Sequence, residues 1–370
     1  MEKRVINICD VCEEIFAGGD APKDRFSETK TDDFSVPIYS NGEANSGLYG
    51  YTNFSRVNVP SITVSARGTI GYTTIRHEPF VPIVRLITLV PKTDVIDINY
   101  LYYATQNYKF VNNGTSIPQL TVPMLKRYSF PLPSMEQQKK IADEFDKVTV
   151  LIDKRKKQLE KFDELVKSRF IEMFGGIHDS KMYPYKMVKE LTEVISGGTP
   201  SRDVSEYWEE GTIPWVKTTE LQNNVVTKVE EHITEKGLNN SSAKIVPVGT
   251  VLVAMYGQGK TRGMTAYLEI KACTNQACAC ILPSGKINQK FLWYFFILSY
   301  DNLRDLAKGG NQPNLNGNMI KTYPILYPPI ELQNQFAAFV EQVDKSKLEV
   351  QKSLEKLELL KKALMKKYFH

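Results

Sequence analysis

Residues 118–174 overlay residues 313–369 at a constant offset, without a gap. Seventeen of the fifty-seven pairs are identical. They include Pro118/Pro313, Leu120/Leu315, Met124/Met319, Lys126/Lys321, Tyr128/Tyr323, Pro133/Pro328, Glu136/Glu331 and Gln138/Gln333. Identities continue through the charged stretch at Leu159/Leu354, Glu160/Glu355, Lys161/Lys356, Leu165/Leu360, Lys167/Lys362 and Phe174/Phe369. A gapless match of this length is one supersecondary unit built twice, so the chain is a tandem of two halves.

The repeated unit reads as a long helix. From Ile141 the apolar spacing alternates four and three through Phe145, Val148, Ile152, Arg155, Leu159, Phe162, Val166, Arg169 and Met173. The second copy gives Phe336, Val340, Val343, Lys347, Val350, Leu354, Leu357, Lys361, Leu364 and Tyr368. This spacing is a coiled-coil pattern, and a helix of this extent is roughly 50 Å long at 1.5 Å per residue. The apolar members of both series from Ile141 to Val166 and from Phe336 to Leu364 form the expected seam; Arg155, Arg169, Lys347 and Lys361 interrupt the spacing, which weakens a helix pair but can fix its register. Two solvated surface helices are the competing reading, and the repetition and length weigh against it. Proline-marked turns introduce each helix. Ser134 followed by Gln137 resembles a capping box, which starts the first helix at Met135. Gly175 and Gly176 end it, and a linker follows at 177–182.

Two globular segments remain, rich in Val, Ile, Thr, Tyr and Phe in short runs broken by Gly, Asn and Pro, as strands with some helix are. Residues 15–22 resemble 194–200, residues 36–38 resemble 213–215, and residues 64–68 resemble 252–257. These matches need shifting offsets. The helical scaffold has stayed in register while the globular parts have diverged, as suits two modules doing similar jobs on different targets. The expected fold class is α+β, with two pseudo-symmetric α/β domains separated by an antiparallel pair of long coiled-coil helices. The expected segments are a first domain at 1–133, a helical spacer at 134–175, a second domain at 176–329 and a second helical spacer at 330–370.

Composition narrows the setting. No stretch has the eighteen or more apolar residues of a membrane span, and the opening residues lack a signal peptide's apolar core. Five cysteines in 370 residues point to a reducing cytoplasm rather than a disulfide scaffold. A formal charge of +5 permits nucleic-acid binding without requiring it.

Taken together, SGGTPSR followed by YWEEGTIPWVKTTEL within 196–221, ACTNQAC at 272–278 and GGNQPNLNGNMIKTYPILYPPIELQNQFAAF at 309–339 resemble the specificity subunits of type I restriction–modification systems. The first-half echo is NGTSIPQLTVPMLKRYSFPLPSMEQQKKIADEF at 113–145. The resemblance covers essentially the whole chain and its order of parts. It implies two target-recognition domains, each reading one half of a split double-stranded DNA site. It further implies two long helices that dock a pair of methyltransferase subunits, with restriction/translocase subunits joining for cleavage. No cofactor is then expected in this chain; S-adenosylmethionine, ATP and magnesium belong to partner subunits. The first half departs from the pattern, carrying GGDAP with an inserted residue and no counterpart of YWEE.

The arrangement also follows from symmetry. Two similar units facing duplex DNA follow its local two-fold, which reverses one helix relative to the other and makes helix length a ruler for half-site separation. Base reading needs paired donors and acceptors: Arg or Lys for guanine, Asn or Gln for adenine. Candidates on glycine-punctuated loops are Arg67 and Thr69, then Tyr256, Gln258, Lys260 and Arg262. Lys217, Thr218 and Thr219 follow the IPWV run. Asn311 and Gln312 lie in KGGNQPN, with Asn113, Thr115 and Ser116 at the corresponding place in the first half. Any one of these also fits an ordinary solvated loop position; their recurrence on corresponding loops is what favours DNA.

Catalytic readings find little footing. Residues 254–261, AMYGQGKT, fit a loose phosphate loop after a strand-like 251–253, which makes a P-loop NTP-binding enzyme the class alternative. The strict pattern opens with Gly and leads into a helix, whereas RGMTAY is poor helix material, so a hairpin is the simpler reading. A coiled-coil scaffold without DNA specificity is the third possibility. Cys9 and Cys12 form a CxxC, with Cys278 and Cys280 much later, but CDVCEEIF reads as a helix with structural cysteines. The histidines lack metal spacing. Tyr102, Tyr103, Tyr108 and Phe110, with Trp293, Tyr294, Phe295 and Phe296, read as buried helix faces closing each domain rather than as base-stacking platforms.

Overall fold

A computed structural model describes residues 4–108, 118–257, 259–307 and 314–370. The chain divides into two compact units: residues 1–157 with 350–370, and residues 158–349. Each unit therefore takes in part of both long helices.

Unit 1 is built on a four-stranded antiparallel sheet in the order Cys12–Ala17, Ile87–Pro91, Ser61–Val64, Thr73–Arg76. A three-stranded sheet sets Leu48–Thr52 antiparallel and Val81–Pro82 parallel to Val36–Tyr39. The helix Ile98–Gln106 covers the larger sheet. Asp97 caps it by accepting the Tyr100 N–H at 3.0 Å. Its Tyr100, Leu101, Tyr103 and Ala104 join Ile62, Val64, Ile87 and Leu89 in the core.

Unit 2 repeats the plan with additions. Its five-stranded sheet runs Val194–Ser196, Cys278–Ile281, Val251–Ala254, Thr265–Leu268, Asn224–Val226, the last pair parallel. A three-stranded sheet joins Glu231–Ile233, Ile213–Val216 and Cys273–Thr274. The helix Gln289–Leu298 is capped by Asn288 in the way Asp97 caps its counterpart, and Phe291 to Phe296 are buried. Tyr103, Trp293, Tyr294, Phe295 and Phe296 are thus buried helix faces, as their sequence implies, and Tyr102 is half-buried on its helix; Tyr108 lies past the helix end and is half-buried, and Phe110 lies outside the described residues. A second short helix, Tyr300–Leu306, has no counterpart among the described residues of unit 1.

The long helices span Met135–Phe174 and Ile330–Phe369, forty residues each, and the offset of the sequence repeat carries one onto the other. The start at Met135 matches the expected cap: Ser134 Oγ accepts the Gln137 N–H at 3.4 Å. Gly175, at φ +77°, follows the last residue of the first helix. The small strands Ser129–Pro131 and Pro324–Leu326 keep the same offset, pairing with Val5–Asn7 and Tyr185–Met187 in their own units.

Within each unit the two helices run antiparallel. In unit 1 the start of the first meets the end of the second: Phe145 stacks on Phe369 at 5.8 Å, and Tyr368 donates to Glu144 at 2.8 Å. In unit 2 the end of the first meets the start of the second: Phe170 and Phe174 pack on Phe336 at 5.5 and 5.7 Å. The repeated Phe174 and Phe369 also find equivalent partners. Phe174 lies 5.3 Å from Phe291 and Phe369 lies 5.2 Å from Tyr100, each on the covering helix of its unit. Burying one such ring contributes about 1.5–3 kcal/mol.

One expectation is corrected. CDVCEEIF is not a helix: Ile8–Val11 is a single 3-10 turn and Cys12–Ala17 is a strand. Its pairing with Ile87–Pro91, across a register shift between Cys12 and Glu14, overrides the local helix-like spacing of Val11, Cys12, Ile15 and Phe16.

Candidate nucleic-acid interface

The two glycine-punctuated loops are tips of equivalent hairpins. In unit 1 the strands Ser61–Val64 and Thr73–Arg76 pair with Val64 opposite Thr73. Gly68 and Gly71 take φ +66° and +84°, which turns the chain back on itself. Arg67 and Thr69 sit exposed at the tip. Arg67 donates through Nε and Nη2 to Gln119 Oε1 at 3.2 and 2.9 Å, and the Leu120 N–H binds the Ala66 carbonyl at 2.9 Å.

In unit 2 the strands Val251–Ala254 and Thr265–Leu268 pair with Val253 opposite Thr265. Here the Leu315 N–H binds the Met255 carbonyl at 3.0 Å. Leu120 and Leu315 are repeat-equivalent, so the same backbone clasp closes both hairpins and sets Tyr256 in the place of Arg67. Unit 2 adds its own support: Tyr300 donates to the Lys260 carbonyl at 2.7 Å, and Arg304 to the Arg262 carbonyl at 3.0 Å. Tyr256 and Lys260 remain exposed and Arg262 is half-buried. These supports (Gln119, Tyr300, Arg304) were missed in the sequence; the Leu120/Leu315 identity was the available signal.

A second loop adjoins the unit 2 hairpin. Asn223, in the left-handed region at φ +55°, accepts both the backbone N–H and the hydroxyl of Thr265 at 3.0 Å. That fixes the Thr218–Glu220 turn beside the return strand, with Thr219 exposed and Thr218 half-buried. Lys217 is occupied. Its ammonium contacts Glu230 at 2.7 Å and Glu231 at 3.0 Å, and those bonds raise its pKa. Glu231 is pulled up by burial, but hydrogen bonds from Arg202 and Lys217 outweigh that and hold its carboxyl below the usual range. Arg202 in turn lies 3.6 Å over the Trp208 ring and 5.0 Å from Trp215. The YWEEGTIPWVK run therefore builds a charge-and-ring lattice that includes Lys217. Asn113, Thr115, Ser116, Gln258, Asn311 and Gln312 lie outside the described residues.

The phosphate-loop reading meets the wrong topology. The loop after Val251–Ala254 returns as an antiparallel strand rather than opening a helix, which is not the strand–loop–helix order a phosphate loop needs. Cys12 and Cys280 have pKa values pushed up by burial, to about 12 and about 11, which disfavours the thiolate a metal needs. No helix among the described residues is long and apolar enough to cross a membrane.

Along the helix pair, Ile141, Phe145, Val148, Ile152 and Val166 are buried on the first helix, with Leu159 and Phe162 half-buried. Phe336, Val340, Val343, Val350 and Leu354 are buried on the second, with Leu357 and Leu364 half-buried. The charged interruptions Arg155, Arg169, Lys347 and Lys361 are half-buried too. Lys347 reaches Asp163 across the pair in unit 2 at 2.6 Å. Burial lowers the pKa of Lys361 in unit 1, with Asp153 opposing and Lys156 adding to the effect.

Known proteins share this design. The type I restriction modification DNA specificity domain matches residues 2–161 and again 182–360. A Mycoplasma pneumoniae chain named as a type I specificity subunit is 34% identical over 176 residues, covering 45% of this chain and 52% of that one. The chain spans about half the length of the M. pneumoniae relatives it matches. A Methanocaldococcus jannaschii type I restriction enzyme specificity subunit is 25% identical over 333 residues, covering 83% and 76%. The crystal structure of a type I restriction–modification S subunit from M. genitalium superposes with a TM-score of 0.63 at 16% identity, covering 99% and 96%. At that identity the likeness concerns the fold.

Proposed function

The chain belongs to the type I restriction–modification DNA specificity family, and from that premise we propose that it reads a bipartite, asymmetric duplex site through its two units. The observation that carries this reading is the twice-built hairpin. One backbone clasp, Leu120 to Ala66 and Leu315 to Met255, presents Arg67 in one unit and Tyr256 in the other. A shared mount with unlike tips suits two readers of unlike half-sites. Arg67 offers the donor fork that matches guanine, and its bond to Gln119 holds that fork in place before DNA arrives. Thr69, Lys260 and the Thr218–Thr219 turn supply donors for phosphates and base edges nearby.

The long helices set the separation of the half-sites, and their outer faces dock two methyltransferase subunits. The chain itself is non-catalytic. Methylation and any cleavage belong to partner subunits that bring S-adenosylmethionine, and ATP with magnesium where a restriction/translocase subunit joins. Hairpin topology at Lys260 argues against an NTP-binding enzyme.

Competition binding tests the reading. The chain, assembled with its methyltransferase subunits, retains cognate duplex against excess unrelated duplex as salt rises, because base contacts survive screening better than phosphate contacts. Equal affinity for every sequence at all salt concentrations would leave only a coiled-coil scaffold.

A further inference from the structure

Unit 1 carries a groove of about 900 Å³ along the helix pair, lined by Ile152 and Lys156 of the first long helix and Glu358, Lys361, Lys362, Met365 and Lys366 of the second. Asn107, the residue that ends the covering helix, and His370 complete its lining. Four ammonium groups face it. The carboxylates nearby are Glu358, 3.9 Å from Lys156, and Asp153, which acts on Lys361. Lys361 is half-buried beside the Tyr103 ring at 5.9 Å, so water solvates its charge poorly.

The sequence repeat shows that the groove is a departure from the shared design. Lys361 corresponds to Val166, Lys366 to Ile171, Lys156 to Gln351 and Met365 to Phe170; only Lys362 recurs, as Lys167. Unit 2 buries Val166 and Phe170 in its core at the positions where unit 1 has Lys361 and a half-buried Met365. Unit 2 carries a lysine on this seam too, Lys347 where unit 1 buries Ile152, but that ammonium is bound to Asp163 at 2.6 Å.

Position identifies the ligand class. Gln106, next to Asn107, lines a neighbouring cleft together with Gly71 and Tyr72, at the root of the hairpin that bears Arg67. Basic groove and reading hairpin therefore share one edge of the unit. The charges are compact ammonium groups rather than planar forks, which suits phosphate positioning and carries no base readout.

We propose that this lysine groove, present in unit 1 and erased in unit 2, holds the phosphate backbone of the duplex that the unit 1 hairpin reads. It rests on the DNA-reading function and adds a sequence-independent anchor to one side of it. The anchor makes unit 1 the tighter-held half of the complex.

The test uses the chain assembled with its methyltransferase subunits. The exposed pair Lys362→Gln/Lys366→Gln is compared with the charge-keeping Lys362→Arg/Lys366→Arg, and Lys361→Gln is then added. Each lost phosphate contact reduces the slope of log affinity against log salt by about 0.9, so the double variant loses about two in slope. Cognate and unrelated duplexes weaken by the same factor, the methylated sequence stays as it was, and the arginine variant binds as the parent does. An unchanged salt slope in a folded, assembled double variant overturns the inference. So does loss of methyltransferase subunits on size exclusion, which would mark the groove as a protein dock. Should the parent complex itself bind no DNA, the DNA-reading function fails rather than the groove.

Discussion

Gln138 Oε1 accepts the backbone N–H of Asp97 at 2.8 Å, while its Nε2 donates to the carbonyls of Val95 and Pro133. Gln333, its repeat twin, accepts the Asn288 N–H at 2.9 Å and donates to Pro328 at 2.8 Å. Asp97 and Asn288 are the cap residues of the covering helices, so one buried amide ties each long helix to its domain. Leucine at either position strands a buried N–H and at least one carbonyl. Gln138→Leu and Gln333→Leu each destabilise their unit by about 1–3 kcal/mol, read as a lower urea midpoint. Loss of protection against amide exchange should fall in unit 1 for the first and unit 2 for the second.

The register of this device was legible in the sequence because both glutamines sit at the repeat offset. Helix ends were legible for the same reason: 4/3 spacing, a capping serine and a terminal glycine are local signals. Strand partners were not. Cys12–Ala17 pairs with residues some seventy positions away, and nothing local announces that. Lys217 read as a free donor because its acids, Glu230 and Glu231, arrive from a later strand edge. The hairpin tips were found through their glycines, whereas the residues that steady them, Gln119, Tyr300 and Arg304, come from distant segments.

His178 gives unit 2 a pH dependence. Its ring packs at 5.9 Å from Phe295 and 6.0 Å from Tyr323, and burial lowers its pKa below the ordinary 6.5, with Asp179 opposing. A depressed folded value means the unfolded chain binds the proton more readily. Stability contributed by neutral His178 is therefore complete above about pH 6.5 and declines as pH falls through the lowered folded value. Thermal unfolding followed from pH 7.5 to pH 5 shows this decline, and His178→Phe flattens it. A decline of the same size in the variant would remove His178 as its cause.

Arg67→Ala removes the donor fork from one hairpin alone. Methylation relaxes at one or two base pairs of one half-site, with discrimination there falling by about 1–3 kcal/mol, while the other half-site is read as before. Tyr256→Ala produces the converse. Relaxation of both halves by either change would separate the hairpins from base reading.

Helix length is proposed as the ruler. Four residues inserted after Leu159, with four after its twin Leu354, add about 6 Å to the pair at 1.5 Å per residue. The spacer of the methylated sequence lengthens and both half-sites persist. An altered half-site with the old spacer would contradict the ruler.

Mapping methylated adenines genome-wide, in a host that carries this chain with its cognate methyltransferase and no other adenine methylation, tests the central claim most directly. Two unlike half-sites around an unread spacer of fixed length are the outcome that two clasped hairpins on one duplicated scaffold require. A single uninterrupted motif, a palindrome, or methylation without sequence preference would contradict it.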